Sequence, residues 1–95
     1  MTRHILKLND RYYDAVANGI KTFEIRKNDR DYKVGDTLAL LKVNDGGEFL
    51  TYPDHNLGMN LNYEIEVAVT YILTHDEFDG IAEGYVAMGI RRVKE

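Results

Sequence analysis

Residues 63–73 alternate without a break: Tyr63, Ile65, Val67, Val69, Tyr71 and Leu73 share one face, and Glu64, Glu66, Ala68, Thr70 and Ile72 the other. Only extended backbone repeats its side chains every two residues, so the stretch is predicted as a strand. An ordinary strand has about five or six residues. One this long is expected to curve, as barrel strands do. Shorter strands are expected over residues 4–8, 22–26, 37–43, 48–51 and 85–93, the last with Val86, Met88 and Ile90 inward. Asn9 is placed to cap a helix over residues 10–18, with Leu8 and Tyr13 bracketing the cap as a hydrophobic staple. Its buried stripe is Tyr12, Val16 and either Tyr13 or Ala15, and Gly19 ends it. Asn44-Asp45-Gly46-Gly47 is the clearest turn. Residues 53–60 read as an irregular loop, and residues 76–78 as one helical turn in a polar connection. No helical crossovers alternate with the strands. The expected fold is therefore mainly β with one or two short helices, a small barrel rather than a layered α/β sheet.

Ninety-five residues make a single domain, 1–95. The absence of cysteine excludes disulfides, a thiolate nucleophile and cysteine metal sites. No apolar run approaches the length of a membrane span and no leader is evident, which makes the cytoplasm the default expectation. A net charge of -4 argues against indiscriminate coating of nucleic acid. The charges are unevenly placed, however. Arg26, Lys27, Arg30 and Lys33 cluster in the first half, and Arg91, Arg92 and Lys94 end the chain. If the first and last strands are neighbours, these form one basic face. Seven tyrosines offer stacking platforms, although Tyr12, Tyr13, Tyr63 and Tyr71 occupy core or core-edge positions.

Residues 19–29, G-I-K-T-F-E-I-R-K-N-D, join a helix stop, a lysine and a short strand. Period two predicts Phe23 and Ile25 on a core face, with Thr22, Glu24 and Arg26 on a polar working face. A carboxylate beside a guanidinium can fix that fork for a phosphate or base edge, and can itself accept an amino hydrogen. An ordinary exposed ion pair is the alternative. Lys21, just past the helix, is explained either by the helix dipole or by phosphate contact. Arg26 and Arg30, with Lys27 behind them, are the expected phosphate contacts. His4, His55 and His75 lack zinc-ligand spacing. Asp29, Asp31 and Asp36 lack the pattern of a calcium loop. Asp36 is expected to accept backbone hydrogen bonds where a strand begins, and Gly46-Gly47 is not a phosphate loop. No metal or other cofactor is expected.

The helix ending at Gly19, the G-x-K-T-x-E-x-R run over residues 19–26 and the Y-K-V-G-D run over residues 32–36 resemble the ASCH domain of the PUA-like superfamily. More closely, the chain resembles a small bacterial and phage-encoded branch of that group whose function is unassigned. The resemblance implies a β-barrel with a cleft beside the first helix, lined by the G-x-K-x-x-E-x-R segment and proposed in the family to bind RNA or a modified nucleoside. Some small members are amidohydrolases of acetylated cytidine that use a lysine, a threonine and a glutamate, and others are reported as ribonucleases. The lysine corresponds to Lys21. Glu24 stands where the threonine is expected, and Glu77 and Glu83 are only candidates for the distant glutamate. The leading expectation is an RNA- or nucleotide-binding module using Lys21, Glu24, Arg26, Lys27, Arg30 and Arg91. The first alternative is a small hydrolase of RNA or a modified nucleoside, with Lys21 and Glu24 catalytic. The second is a protein-binding adaptor, which an exposed apolar patch near Phe78 would favour.

Overall fold

The computed structural model describes residues 1–93. Lys94 of the terminal basic cluster lies outside the described residues. The elements run β1 (Arg3–Asn9), α1 (Asp10–Ala17), β2 (Phe23–Lys27), β3 (Thr37–Val43), β4 (Thr51–Asp54), β5 (Met59–Asn62), β6 (Glu64–Thr74) and β7 (Tyr85–Arg92). Five strands form a sheet in the order β1-β3-β6-β7-β2, curled into a half-barrel, and β4 pairs only with β5. β1 lies parallel to β3, while the other pairings are antiparallel.

The core fills the concave side. Leu6 and Leu8 of β1, Leu38 and Leu40 of β3, Ile65, Val67 and Val69 of β6, and Val86, Met88 and Ile90 of β7 alternate inward. Helix α1 closes this side with Tyr13 and Val16, while Tyr12 is exposed. The cap is as expected, with Asn9 Oδ1 accepting from the Arg11 backbone N–H at 3.0 Å. The short helix has only two buried residues of its own, so its stability comes from docking rather than propensity.

Four expectations are corrected or narrowed. Residues 53–60 are not an irregular loop: Pro53 and Asp54 pair with Asn60 and Met59 in the β4–β5 hairpin. Asp54 Oδ1 accepts from the backbone N–H groups of Asn56 and Leu57 and so builds the turn, which Gly58 completes at φ 66°. Proline is tolerated because the ladder is an isolated pair with free edges. Second, the return of residues 48–51 beside β3 is only a short antiparallel hairpin, with the Asn44 N–H donating to the Glu48 carbonyl and the Leu50 N–H to the Lys42 carbonyl. Beyond the turn a single bridge, Val43 to Phe49, precedes β4.

Third, the alternation of β6 holds only to Val69. A register shift between Val69 and Tyr71 leaves Tyr71 exposed and packs Ile72 against the core. One extra residue in a strand reverses the faces beyond it. Finally, β1 and β7 are not neighbours, because β3 and β6 lie between them. The condition for a single basic face, adjacency of the first and last strands, is therefore not met.

Candidate nucleic-acid interface

β1 and β2 are the two edges of the curled sheet. Between them lie two adjoining depressions of about 470 and 510 Å³. Their walls include every residue of 5–9 and every residue of Phe23–Lys27. A sheet face would contribute alternate residues, whereas consecutive ones identify strand edges. The groove is thus the open seam of the half-barrel.

The segment after α1 places Lys21 at this seam. Gly19 adopts φ 74°, and the backbone N–H groups of Ile20 and Lys21 both return to the Ala15 carbonyl. Lys21 Nζ then donates to the Phe23 carbonyl at 2.7 Å and to Glu24 Oε2. It also stands over the rings of Phe23 and Tyr12, 4.8 and 5.4 Å from their centroids. From the other side, Arg26 Nε and Nη2 both donate to Glu24 Oε1, at 3.0 and 2.8 Å. Both carboxylate oxygens are therefore occupied.

This reverses the expected orientation of β2. Glu24 is buried at 3% exposure, whereas Phe23 and Ile25 are half exposed on the convex side. Two apolar residues two apart fix a strand's period but not its inward face, and a one-residue change of register swaps the faces. Here a buried carboxylate wins the inward position because two charge-assisted partners offset its desolvation. Lys21 and Arg26 retain side-chain exposures of 18% and 21%, so the cationic side of the cluster still reaches the groove.

The remaining wall comes from the loop after β2. Arg30 Nη1 crosses the seam to the Ile5 carbonyl at 3.2 Å, and Lys27 and Asp29 stand at the mouth. Tyr32 is buried and anchors this loop, while Val34 is exposed. Burial raises the Tyr32 phenol above its ordinary pKa despite the opposing fields of Arg26 and Arg30. Behind it, the His4 ring meets Tyr32 edge-on at 4.8 Å, and His4 Nε2 lies 2.8 Å from Asp36 Oδ2. Asp36 also accepts from the backbone N–H groups of Thr2 and Lys33. The His4 hydrogen bond foremost, with these N–H donors, lowers the Asp36 carboxyl to a pKa of about 2. Thus Asp36 fulfils its expected role as backbone acceptor, with His4 added.

Lys21, Glu24, Arg26, Lys27 and Arg30 are brought together along the seam. Arg91 is not. It lines a smaller depression of about 240 Å³ on the far side of Lys21, together with Arg92. Arg92 is committed to the end of α1, where Nη1 donates to the Ala17 carbonyl at 2.6 Å. Lys7 was not predicted, yet it lines both main depressions, with Nζ 5.2 Å from the Phe49 centroid. Lys7 alternates as an ordinary outward residue of β1, and its partners, the Gly47 carbonyl at 3.2 Å and the Phe49 ring, come from the turn after β3. Among the described residues no group of histidines and carboxylates is placed to hold a metal ion, and no helix is long and apolar enough to cross a membrane.

Residues 3–90 match the family described as "Domain of unknown function (DUF3850)". A stretch of 37 residues is 51% identical to the "Uncharacterized 12.9 kDa protein in GpA 3'region" of Escherichia phage P2. The similarity covers 39% of this chain and spans 34% of the length of that phage protein.

Proposed function

Since the chain belongs to the DUF3850 family, we propose from the chemistry of its seam that it is an RNA- or nucleotide-binding module of PUA-like, ASCH-type character. The observation that carries this reading is a reversal of charge. Lys7, Lys21, Arg26, Lys27 and Arg30 face only Glu24 and Asp29 along the groove, in a chain whose net charge is -4. Such a groove focuses an attractive field on phosphates while the remaining surface repels them. Exposed rings of Tyr12, Phe23 and Phe49 at its margins supply surfaces on which a base can stack.

The Lys21–Glu24–Arg26 cluster favours binding over chemistry. A general base must reach the proton that it takes, and here Glu24 is buried at 3% exposure with three of its roughly four acceptor sites taken by Arg26 and Lys21. Lys21 Nζ is already engaged as a donor to Glu24 and to the Phe23 carbonyl, the arrangement of a cationic contact. Glu24 serves to orient the two cations.

The test is titration of short RNAs against wild type and a folded Lys21→Ala/Arg26→Ala variant, followed by fluorescence anisotropy. Loss of most of the salt-sensitive affinity is expected. Unchanged affinity in the double variant would remove the seam from the account.

A further inference from the structure

The groove has a repeating character that a site for one free nucleotide does not need. We infer that its ligand is a single-stranded polynucleotide running the length of the seam and on past Lys21 to Arg91. This inference rests on the reading of the seam as a nucleotide-binding groove.

Each main depression has a volume within the range of a small-ligand site, about 300–1,000 Å³. Each also has its own exposed aromatic residue: Phe49 in the first, Tyr12 and Phe23 in the second. The cations shared by the two depressions are Lys7 and Arg26. Ring, cation, ring is the order that a strand requires when successive bases stack and the phosphate between them is neutralised. Lys21 then joins the second depression to the third, which has no aromatic ring for a base and carries Arg91 and Arg92 without a carboxylate in its wall. Arg92 is spent on the Ala17 carbonyl. Exposed Arg91 remains for the next phosphate. The path therefore offers two base positions and three successive points of positive charge.

A length series tests this. Uridine monophosphate, the dinucleotide UpU, and uridine and thymidine tetranucleotides are titrated against wild type, Phe49→Ala and Arg91→Ala. Chemical-shift dispersion confirms that each variant is folded. One added stacked base and phosphate should raise affinity about tenfold from mononucleotide to dinucleotide, with a further rise to the tetranucleotide. Phe49→Ala and Arg91→Ala should each weaken the tetranucleotide by about fivefold, and Arg91→Ala, beyond both base positions, should leave the mononucleotide unchanged. Tighter binding of the uridine series would assign the strand to RNA, and equal binding to single strands of either sugar. Mononucleotide binding as tight as tetranucleotide binding would overturn the polymer path while leaving the nucleotide groove in place. A length dependence untouched by both substitutions would overturn this route, and no binding by any probe would overturn the groove reading as well.

Discussion

Glu24 and Asp36 are both buried carboxylates, at 3% and 2% exposure, and differ in what holds them. Asp36 is held by two backbone N–H groups and the buried ring of His4. Its partners are fixed parts of the fold, so it joins the start of β1 to the loop before β3. Glu24 is held by two long side chains whose cationic ends remain partly open to the groove. A carboxylate bound by backbone closes a structure, whereas one bound by mobile cations at an opening leaves those cations able to exchange part of their coordination with a ligand. Burial alone does not distinguish the two cases. The identity of the donors does.

Removing Asp36 gives the largest expected effect. Asp36→Ala strands two backbone donors and His4 in the interior and should cost about 3 kcal/mol in urea denaturation. If Asp36→Ala cost no more than a typical surface substitution, the two carboxylates would not differ as argued.

Acid sharpens the same contrast. The folded-state pKa of Asp36 is depressed to about 2, so the stability it confers is present above its unfolded value near 4 and is lost as pH falls toward 2. The stability gap between wild type and Asp36→Asn should close over that window when thermal melts are compared at successive pH values. A constant gap would show that the carboxylate charge is not what Thr2, Lys33 and His4 recognise.

Glu24→Gln should cost less, about 1–2 kcal/mol, since an amide oxygen still accepts from the Arg26 fork. Its second readout separates it from Asp36: removing a negative charge between Lys21 and Arg26 should raise short-RNA affinity about threefold at low salt. A fall in affinity would instead make Glu24 a direct contact to a base amino group. The smallest effect is expected for Lys33→Ala. Its pair with Asp31 has side-chain exposures of 69% and 86%, so stability should change by less than about 0.5 kcal/mol with RNA affinity unchanged. A larger change in either would give Lys33 a role that its position does not.

The parts legible in the sequence are those set by local chemistry. Asn9 caps α1 and Gly19 lies at positive φ just beyond it, because short-range hydrogen bonding and steric freedom decide both. Ile65, Val67 and Val69 point inward as their alternation requires. Asp36 accepts backbone N–H groups in keeping with its place after Gly35. The β4–β5 hairpin was hidden because Pro53, Asp54, Asn56 and Gly58 carry turn chemistry, while the pairing of Thr51 with Asn62 depends on residues brought together by that turn. Lys21, Glu24, Arg26, Lys27 and Arg30 were recognisable as a chemical cluster, but their shared surface was not derivable from spacing alone.

The sequence by itself determined the period of β2, of β7 and of β6 as far as Val69, the limits of the helix and the local concentration of charge around residues 21–30, since these depend on near neighbours along the chain. Tertiary structure decided which face of β2 turned inward, because that choice balances Glu24 desolvation against contacts from Lys21 and Arg26. It also decided that β1 and β2 became the two open edges, which brought Lys7 and Phe49 into the groove and left Arg91 beyond it. Strand order is a long-range property, and no local pattern encodes which edges a curled sheet leaves unpaired.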